Sequence, residues 1–381
     1  MQQTRVACIE RSRHEIADVL ERLGTSINEL ELNTWQLRTL SAIKNCRTAA
    51  LGGHIDACDN CGNISISYNS CRNRHCPKCQ GKNREDWIAK REEELLPVPY
   101  FHVVFTLPEA INTQCMHQPK MVYGILFETA WATLSAFGKN NALQLGMIAL
   151  LHTWGQNLSL HPHLHCIVPG GGINEAGKWQ NSRKDGKFLF SVKALSKVFR
   201  AKFCEKLKQK MPIEYQKVRA GLWKQAWVVF AKRPFGSSKS VVEYLGRYSH
   251  KIAISNHRIR SIDDQNVVFS YKDYRQDGQK KTMQLSHGEF IRRFALHILP
   301  KGFVKIRHFG FLSSTWKCSK LKLLQKNLGV KLIEKAGKKI FLPKCTCCKI
   351  GNLHPIVVFD NRGPPAWYIG ASQNTFPCLV N

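Results

Sequence analysis

The chain has 381 residues, 43% of them apolar, and its 57 Lys and Arg outnumber 27 Asp and Glu to give a formal net charge of +30. This length and apolar content exclude a disordered chain and accommodate two or three domains, while the charge is that of a protein working on a polyanion, with nucleic acid as the default partner. No window approaches the ~20 apolar residues needed to span a bilayer and the first residues lack the apolar core of a secretion signal, so no membrane role and an intracellular, cytoplasmic protein are expected.

Residues 13 to 44 read as a helical lead-in, with Ile16, Val19, Leu20 and Leu23 at helix spacing and Trp35, Leu37, Leu40 and Ile43 in a second stretch. A cysteine-dense block follows, then a short helix through Trp87. Pro97 and Pro99 break the chain there and suggest a domain boundary. Beyond it, 101 to 107 reads as a strand, 117 to 137 as a helix, and 145 to 153 and 161 to 168 as two strands joined by a short loop. Ser191 is placed to cap a helix running to about 210, with Val192, Leu195, Val198, Phe199, Phe203 and Leu207 inward. Residues 226 to 232 form a fourth strand, and one more helix is expected over 239 to 249. Strand, helix, strand, strand, helix, strand is the order of a ferredoxin-like antiparallel sheet, so the fold class is α+β. The resulting partition is a helical and zinc-ribbon domain over 1 to 97, a catalytic domain over 98 to 310, and a basic extension over 311 to 381. The tail after 353, with Pro364 and Pro365, is expected to be weakly structured.

Charge is distributed unevenly along this order. Residues 1 to 96 carry only +1 and the remainder +29, and the stretch from Lys301 to Lys349 holds 13 basic residues and one acid, Glu334. Most of the phosphate-binding surface therefore lies beyond the first domain.

The segment 161 to 168, HPHLHCIV, carries histidines at every second position. A strand points alternate side chains to opposite faces, so His161, His163 and His165 share one face and Leu164, Cys166 and Val168 the other. Imidazole is costly to bury and contributes nothing to an apolar core, so three in register suggest a shared divalent metal. A wet sheet face with hydrogen-bonded histidines is the alternative.

Fifteen cysteines in an intracellular chain read as thiols and metal ligands rather than a disulfide framework. Cys58 and Cys61, then Cys76 and Cys79, form a paired C-x-x-C arrangement whose four thiolates suit a closed, tetrahedral structural zinc. Cys46, His54, Cys71 and His75 lie close enough to replace one member or to build a second site. Arg72 and Arg74, with Lys78, Lys82 and Arg84, could bring this ribbon onto DNA. Cys345 and Cys348 form a lone C-x-x-C, which Cys378 and His354 could complete.

Tyr244 and Tyr248 are four residues apart in the helix expected over 239 to 249, so both phenols can reach one place. Arg247 and Lys251 beside them suit a phosphate. A tyrosine that attacks a phosphodiester forms a 5′-phosphotyrosine and frees a 3′ hydroxyl, and the bond energy retained in that link permits resealing.

Five blocks in order, YNSCRNRHCPKCQ, FHVVFTLP, LHTWGQNLSLHPHLHCIVPGGG, YLGRYSHKIAIS and RRFALHILPKGFVKIRHFGFL, closely resemble the rolling-circle HUH transposases of bacterial insertion sequences. The group they resemble is the insertion-sequence ninety-one family, with its N-terminal zinc-binding domain. The resemblance spans roughly residues 10 to 350. It implies Mg2+ or Mn2+ on His163 and His165, with a third ligand to be found at His161 or, alternatively, at Gln156 or His152. It also implies nucleophilic roles for Tyr244 and Tyr248, structural Zn2+, and nicking and rejoining of single-stranded DNA at insertion-sequence ends. A plasmid replication initiator or relaxase would share this chemistry, and a non-catalytic zinc-ribbon DNA-binding protein would share the cysteines.

Overall fold

β-branched and aromatic residues crowd the segment Tyr100–Thr106, and it forms the strand β3 in the interior of the main sheet. The computed structural model describes residues 12–182, 189–232, 235, 240, 241, 244, 246, 251–317, 320–330, 342–366 and 368. The strands in chain order are β1 (Gly53–Cys58), β2 (Ile64–Tyr68), β3, β4 (Gly146–Trp154), β5 (Leu160–Pro169), β6 (Gly171–Ile173) and β7 (Trp179–Asn181). They continue with β8 (Val229–Lys232), β9 (Ile259–Ile262), β10 (Asn266–Asp273), β11 (Gln279–Ser286), β12 (Ile306–Gly310) and β13 (Leu353–Phe359).

The main sheet has the order β12-β4-β5-β3-β8, with every neighbouring pair antiparallel. The four strands β4-β5-β3-β8, with the helix Pro119–Lys139 after β3 and the helix Val192–Lys210 after β5, reproduce the expected ferredoxin-like order. The addition is β12, which pairs with the free edge of β4. Gly310 ends it with φ +60, and a Cβ there would meet the Leu145 carbonyl oxygen at 1.9 Å, so only glycine fits this close approach.

Alternation divides the sheet into two faces. Phe101, Val103 and Phe105 of β3 and Leu164, Cys166 and Val168 of β5 pack beneath the two long helices. The Ser191 hydroxyl accepts from the Ala194 N–H at 3.5 Å and starts the second helix, whose Leu195, Phe199, Phe203 and Leu207 are buried at four-residue spacing. Phe199 meets Phe105 with ring centroids 4.8 Å apart. The opposite face carries Ile148, Leu150 and Ile167 together with the histidines, and it is covered by Val241, Tyr244, Phe311, Leu312, Leu321 and Leu324.

The N-terminal helices belong to a second core. Ile16, Val19, Leu20, Leu40 and Ile43 pack with Phe269 of β10 and with Phe290, Ile291 and Phe294 of the helix His287–Ala295. A third region is the antiparallel sheet β13-β1-β2. The chain after 353 was expected to be weakly structured, yet Leu353–Phe359 is a strand on the edge of β1. Ile356, Val357, Val358 and Phe359 supply the β propensity, and Pro355 is accommodated where the pairing register shifts. Among the described residues no helix is long and apolar enough to cross a membrane.

Candidate active site and cysteine centres

β5 presents His163 and His165 to the same face, and the β4–β5 register sets His152 directly opposite His163. Nitrogen atoms of these three imidazoles lie within 4.8 Å of one another. His152 and His165 are buried, and the His163 and His165 Nε2 atoms are 3.2 Å apart. His163 directs Nδ1 at the His161 carbonyl oxygen, 2.6 Å away, which fixes Nδ1 as the protonated nitrogen and leaves Nε2 with a lone pair toward the cluster. His165 directs Nδ1 at the Nε2 of His102, 2.9 Å away on the neighbouring strand β3, and its Nε2 also faces inward. The ring of His152 stacks on Trp154 at 4.5 Å.

Burial holds His163 and His165 in the neutral form. It lowers His163 to about 4, against the effect of donation to the His161 carbonyl. Burial again, then the neighbouring His152, His163 and His102 and the ammonium of Lys251, keep His165 far below the ordinary imidazole range. Neutral imidazoles with converging lone pairs could hold a metal ion, and among the described residues no carboxylate joins them. Such an all-nitrogen set fits Mn2+ or another transition ion better than Mg2+, which prefers oxygen.

Tyr244 reaches this cluster through His102. Its hydroxyl lies 3.1 Å from Nδ1 and 3.0 Å from Nε2 of that ring, and the two rings are 4.7 Å apart. The buried His102 therefore stands between the phenol and His165.

The cysteines form two tetrads, Cys46 with Cys71, Cys76 and Cys79, and Cys58 with Cys61, Cys345 and Cys348. In the first, Cys79 Sγ lies 3.5 Å from Cys46 Sγ and 3.7 Å from Cys71 Sγ. Four sulfurs at the usual Zn–S bond length sit ~3.8 Å apart on the edges of a tetrahedron, so the set fits zinc without rearrangement.

A family described as "Putative transposase" matches residues 146–320, and one described as "Transposase zinc-binding domain", of the IS91 type, matches residues 18–107. The "Putative transposase y4qJ" of Sinorhizobium fredii is 42% identical over 391 residues, covering 93% of this chain and 98% of that protein. The chain belongs to the insertion-sequence ninety-one (IS91) family of transposases. The transposase for insertion sequence element IS801 of Pseudomonas savastanoi pv. phaseolicola is 28% identical over 306 residues, 76% of this chain and 73% of that one. No solved structure matches this chain.

As a transposase the protein is a DNA-transferring enzyme, and its zinc-binding domain contains the whole Cys46 tetrad. The placement of individual residues differs from expectation at several points. His161 stays outside the histidine cluster. It is exposed at the start of β5, offers its carbonyl to His163, and its ring lies 5.2 Å from that of His163. His152 takes its place because it faces both members of the pair, its ring 4.6 Å from that of His165 and 5.5 Å from that of His163, whereas His161 lies four residues from His165 along β5.

The set Cys58, Cys61, Cys76 and Cys79 is likewise not brought together. Cys58 and Cys61 lie at the tip of the β1–β2 hairpin, whereas Cys76 and Cys79 lie at its base with Cys46 and Cys71. A strand of β1's six residues separates the two ends by ~20 Å. His354 does not complete the C-terminal pair but faces the Asp59 carboxylate at 3.2 Å, and Cys378 lies outside the described residues.

Arg74 is half-buried and donates to the carbonyl oxygens of Phe303 and Pro300, which turns its guanidinium inward rather than toward DNA. Arg72 is exposed, and Lys251 is exposed near His165. Tyr248 and Arg247 lie outside the described residues. His102 was missed, although its position between Phe101 and Val103 already sets it on the opposite face from those core residues.

Proposed function

We propose that this transposase nicks and rejoins single-stranded DNA at the ends of its element, with Tyr244 as a nucleophile that forms a 5′-phosphotyrosine link, in a rolling-circle type of transfer. The observation that carries the reading is the contact of the Tyr244 hydroxyl with His102, which in turn contacts His165 in the three-histidine cluster. A phenol held one ring away from a neutral, convergent histidine set is placed for attack on a phosphate docked there.

A divalent cation, Mn2+ in preference to Mg2+, held by His152, His163 and His165 would polarise the non-bridging oxygens of the scissile phosphate. The remaining work belongs to the chain. His102 orients both the phenol and His165. The Tyr244 oxygen gives up its proton as it bonds to phosphorus, the bond from phosphorus to the 3′ oxygen breaks, and that oxygen takes a proton to become a 3′ hydroxyl. Reversal by an incoming 3′ hydroxyl rejoins the strand. Tyr248, four residues on, is the candidate for holding a second strand. Lys251 adds positive charge beside the site.

DNA also has a second place to lie. Arg47, Arg72, Lys78 and His257 line an open groove of about 980 Å³ next to the Cys46 tetrad. Arg72 is the residue there that we assign to phosphate contact.

The test incubates the protein and Mn2+ with a single-stranded oligonucleotide spanning an end of the element, and with its duplex. The expected products come from the single strand: one fragment with a 3′ end that a polymerase extends, and one whose 5′ end is blocked by protein. Cleavage confined to the duplex, or leaving a 3′ phosphate, would contradict the proposal.

A further inference from the structure

The tetrad of Cys58, Cys61, Cys345 and Cys348 joins residues 284 and 290 positions apart, and half of it lies beyond the segment that matches the zinc-binding domain. Its sulfurs pair across the two chain segments, Cys58 with Cys348 at 3.7 Å and Cys61 with Cys345 at 3.8 Å. These are edges of a zinc–thiolate tetrahedron, ~3.8 Å, and far beyond the ~2.05 Å of a disulfide.

The two C-x-x-C turns also share one backbone design. Gly62 N–H donates to the Cys58 carbonyl at 3.1 Å, and Lys349 N–H to the Cys345 carbonyl at 3.0 Å. Cys58 N–H reaches the Asn63 carbonyl at 3.0 Å, and Cys345 N–H the Gly351 carbonyl at 2.9 Å. In both, the residue after the second cysteine is left-handed, Gly62 at φ 66 and Lys349 at φ 61, the latter an uncommon conformation for a side-chain-bearing residue.

Backbone N–H groups are aimed at sulfur as well. Asn60 and Cys61 N–H lie 3.4 and 3.5 Å from Cys58 Sγ, and Gly351 N–H lies 3.3 Å from Cys348 Sγ. Such donors stabilise thiolates, the form that binds metal. Gly351 keeps the centre clear, because a Cβ there would meet Cys58 Sγ at 2.4 Å. Little apolar packing holds the turn in place. The buried apolar cluster around it consists of Cys58, Cys345 and Leu353, with Cys347 and Cys348 alongside.

We infer that Cys58, Cys61, Cys345 and Cys348 bind a second zinc ion, which fastens the C-terminal segment to the tip of the N-terminal hairpin. The ion replaces the core that this turn lacks and makes its docking depend on metal. It sits directly beside the β1–β13 pairing, in which Cys58 is opposite Leu353, and beside the Asp59 carboxylate, which accepts from the Asn352 N–H at 2.7 Å.

The test is cobalt substitution of the full-length protein, read by the thiolate-to-metal absorption that only cysteine sites produce. Wild type is expected to saturate at two equivalents. The Cys345→Ser, Cys348→Ser double variant should saturate at one, with faster amide exchange in 353–359 and unchanged exchange in β4 and β5. Should the double variant not stay soluble, Gly351→Ala carries the test, with one of the two ions released at least tenfold faster to a chelator and the other unchanged. Saturation of wild type at one equivalent, two thiolate-bound ions in the double variant, or release from Gly351→Ala identical to wild type would overturn the inference.

Discussion

Replacement of His102 by Phe tests the link between the histidine cluster and the tyrosine. His102 is 5% exposed in the centre of β3, and Phe retains the ring while removing both nitrogens. In the metal-binding tautomer His165 donates from Nδ1 to His102, so the variant leaves a buried N–H without this acceptor, at a cost of ~1–3 kcal/mol. At about 1.4 kcal/mol per tenfold, this corresponds to a loss of roughly 5- to 150-fold. The usual effect of removing an outer partner of a ligating histidine, about 10- to 100-fold in metal affinity, falls in the same interval. The assay is Mn2+ binding followed by the paramagnetic resonance of the free ion, with the cobalt–thiolate absorption as the control for the cysteine centres. His102→Gln, which restores a polar group, should recover part of the loss. A folded His102→Phe protein that binds Mn2+ within twofold of wild type would refute the reasoning.

His152→Ala should abolish Mn2+ binding to the cluster while His161→Ala leaves it within about threefold, measured in the same titration; equal losses would return His161 to the ligand set. A second prediction concerns acid stability. His297 is fully buried between Thr153 and the Leu158 carbonyl, and burial lowers it to about 4. The unfolded chain therefore takes up the proton first, so stability is full above pH 6.5 and is lost as the pH falls toward 4. Over that window the loss is about 3 kcal/mol, from roughly 1.4 kcal/mol per unit. Melting curves from pH 7.5 to 4.5 should fall less steeply for His297→Gln than for wild type, and parallel curves would show that His297 does not carry this effect.

The main sheet was legible because its strands and helices alternate with clear periodicity. Phe101, Val103 and Phe105 and the four-residue spacing of Leu195, Phe199, Phe203 and Leu207 each declare a single buried face. What periodicity does not state is which residues stand side by side on neighbouring strands. That register decides the third histidine. Counting back equally from the turn at Gln156 and Asn157 sets His152 opposite His161, and it is the register shift between His152 and Trp154 that moves it opposite His163.

The cysteines show the same limit at longer range. Paired C-x-x-C spacing identifies thiolate turns, but the β1–β2 hairpin carries Cys58 and Cys61 away from Cys76 and Cys79, toward a partner turn near the other end of the chain. Cys46 and Cys71 lacked a C-x-x-C context and drew attention only by proximity. Arg74 had the charge expected of a DNA contact, and only its carbonyl partners reveal that it braces the 300–303 loop. β12 escaped notice because Ile306–Gly310 is short, and its role depends on an edge of β4 that no local pattern announces.

The central claim is that Tyr244, placed by His102 beside the histidine cluster, forms a covalent bond to DNA. Its most direct test is peptide mass spectrometry of the adduct formed with Mn2+ and a single-stranded oligonucleotide from the element's end. The account predicts a nucleotide phosphate on Tyr244, absent in Tyr244→Phe and absent when EDTA is added. Strand cleavage with no protein–DNA link, or an adduct that persists undiminished in Tyr244→Phe, would contradict it.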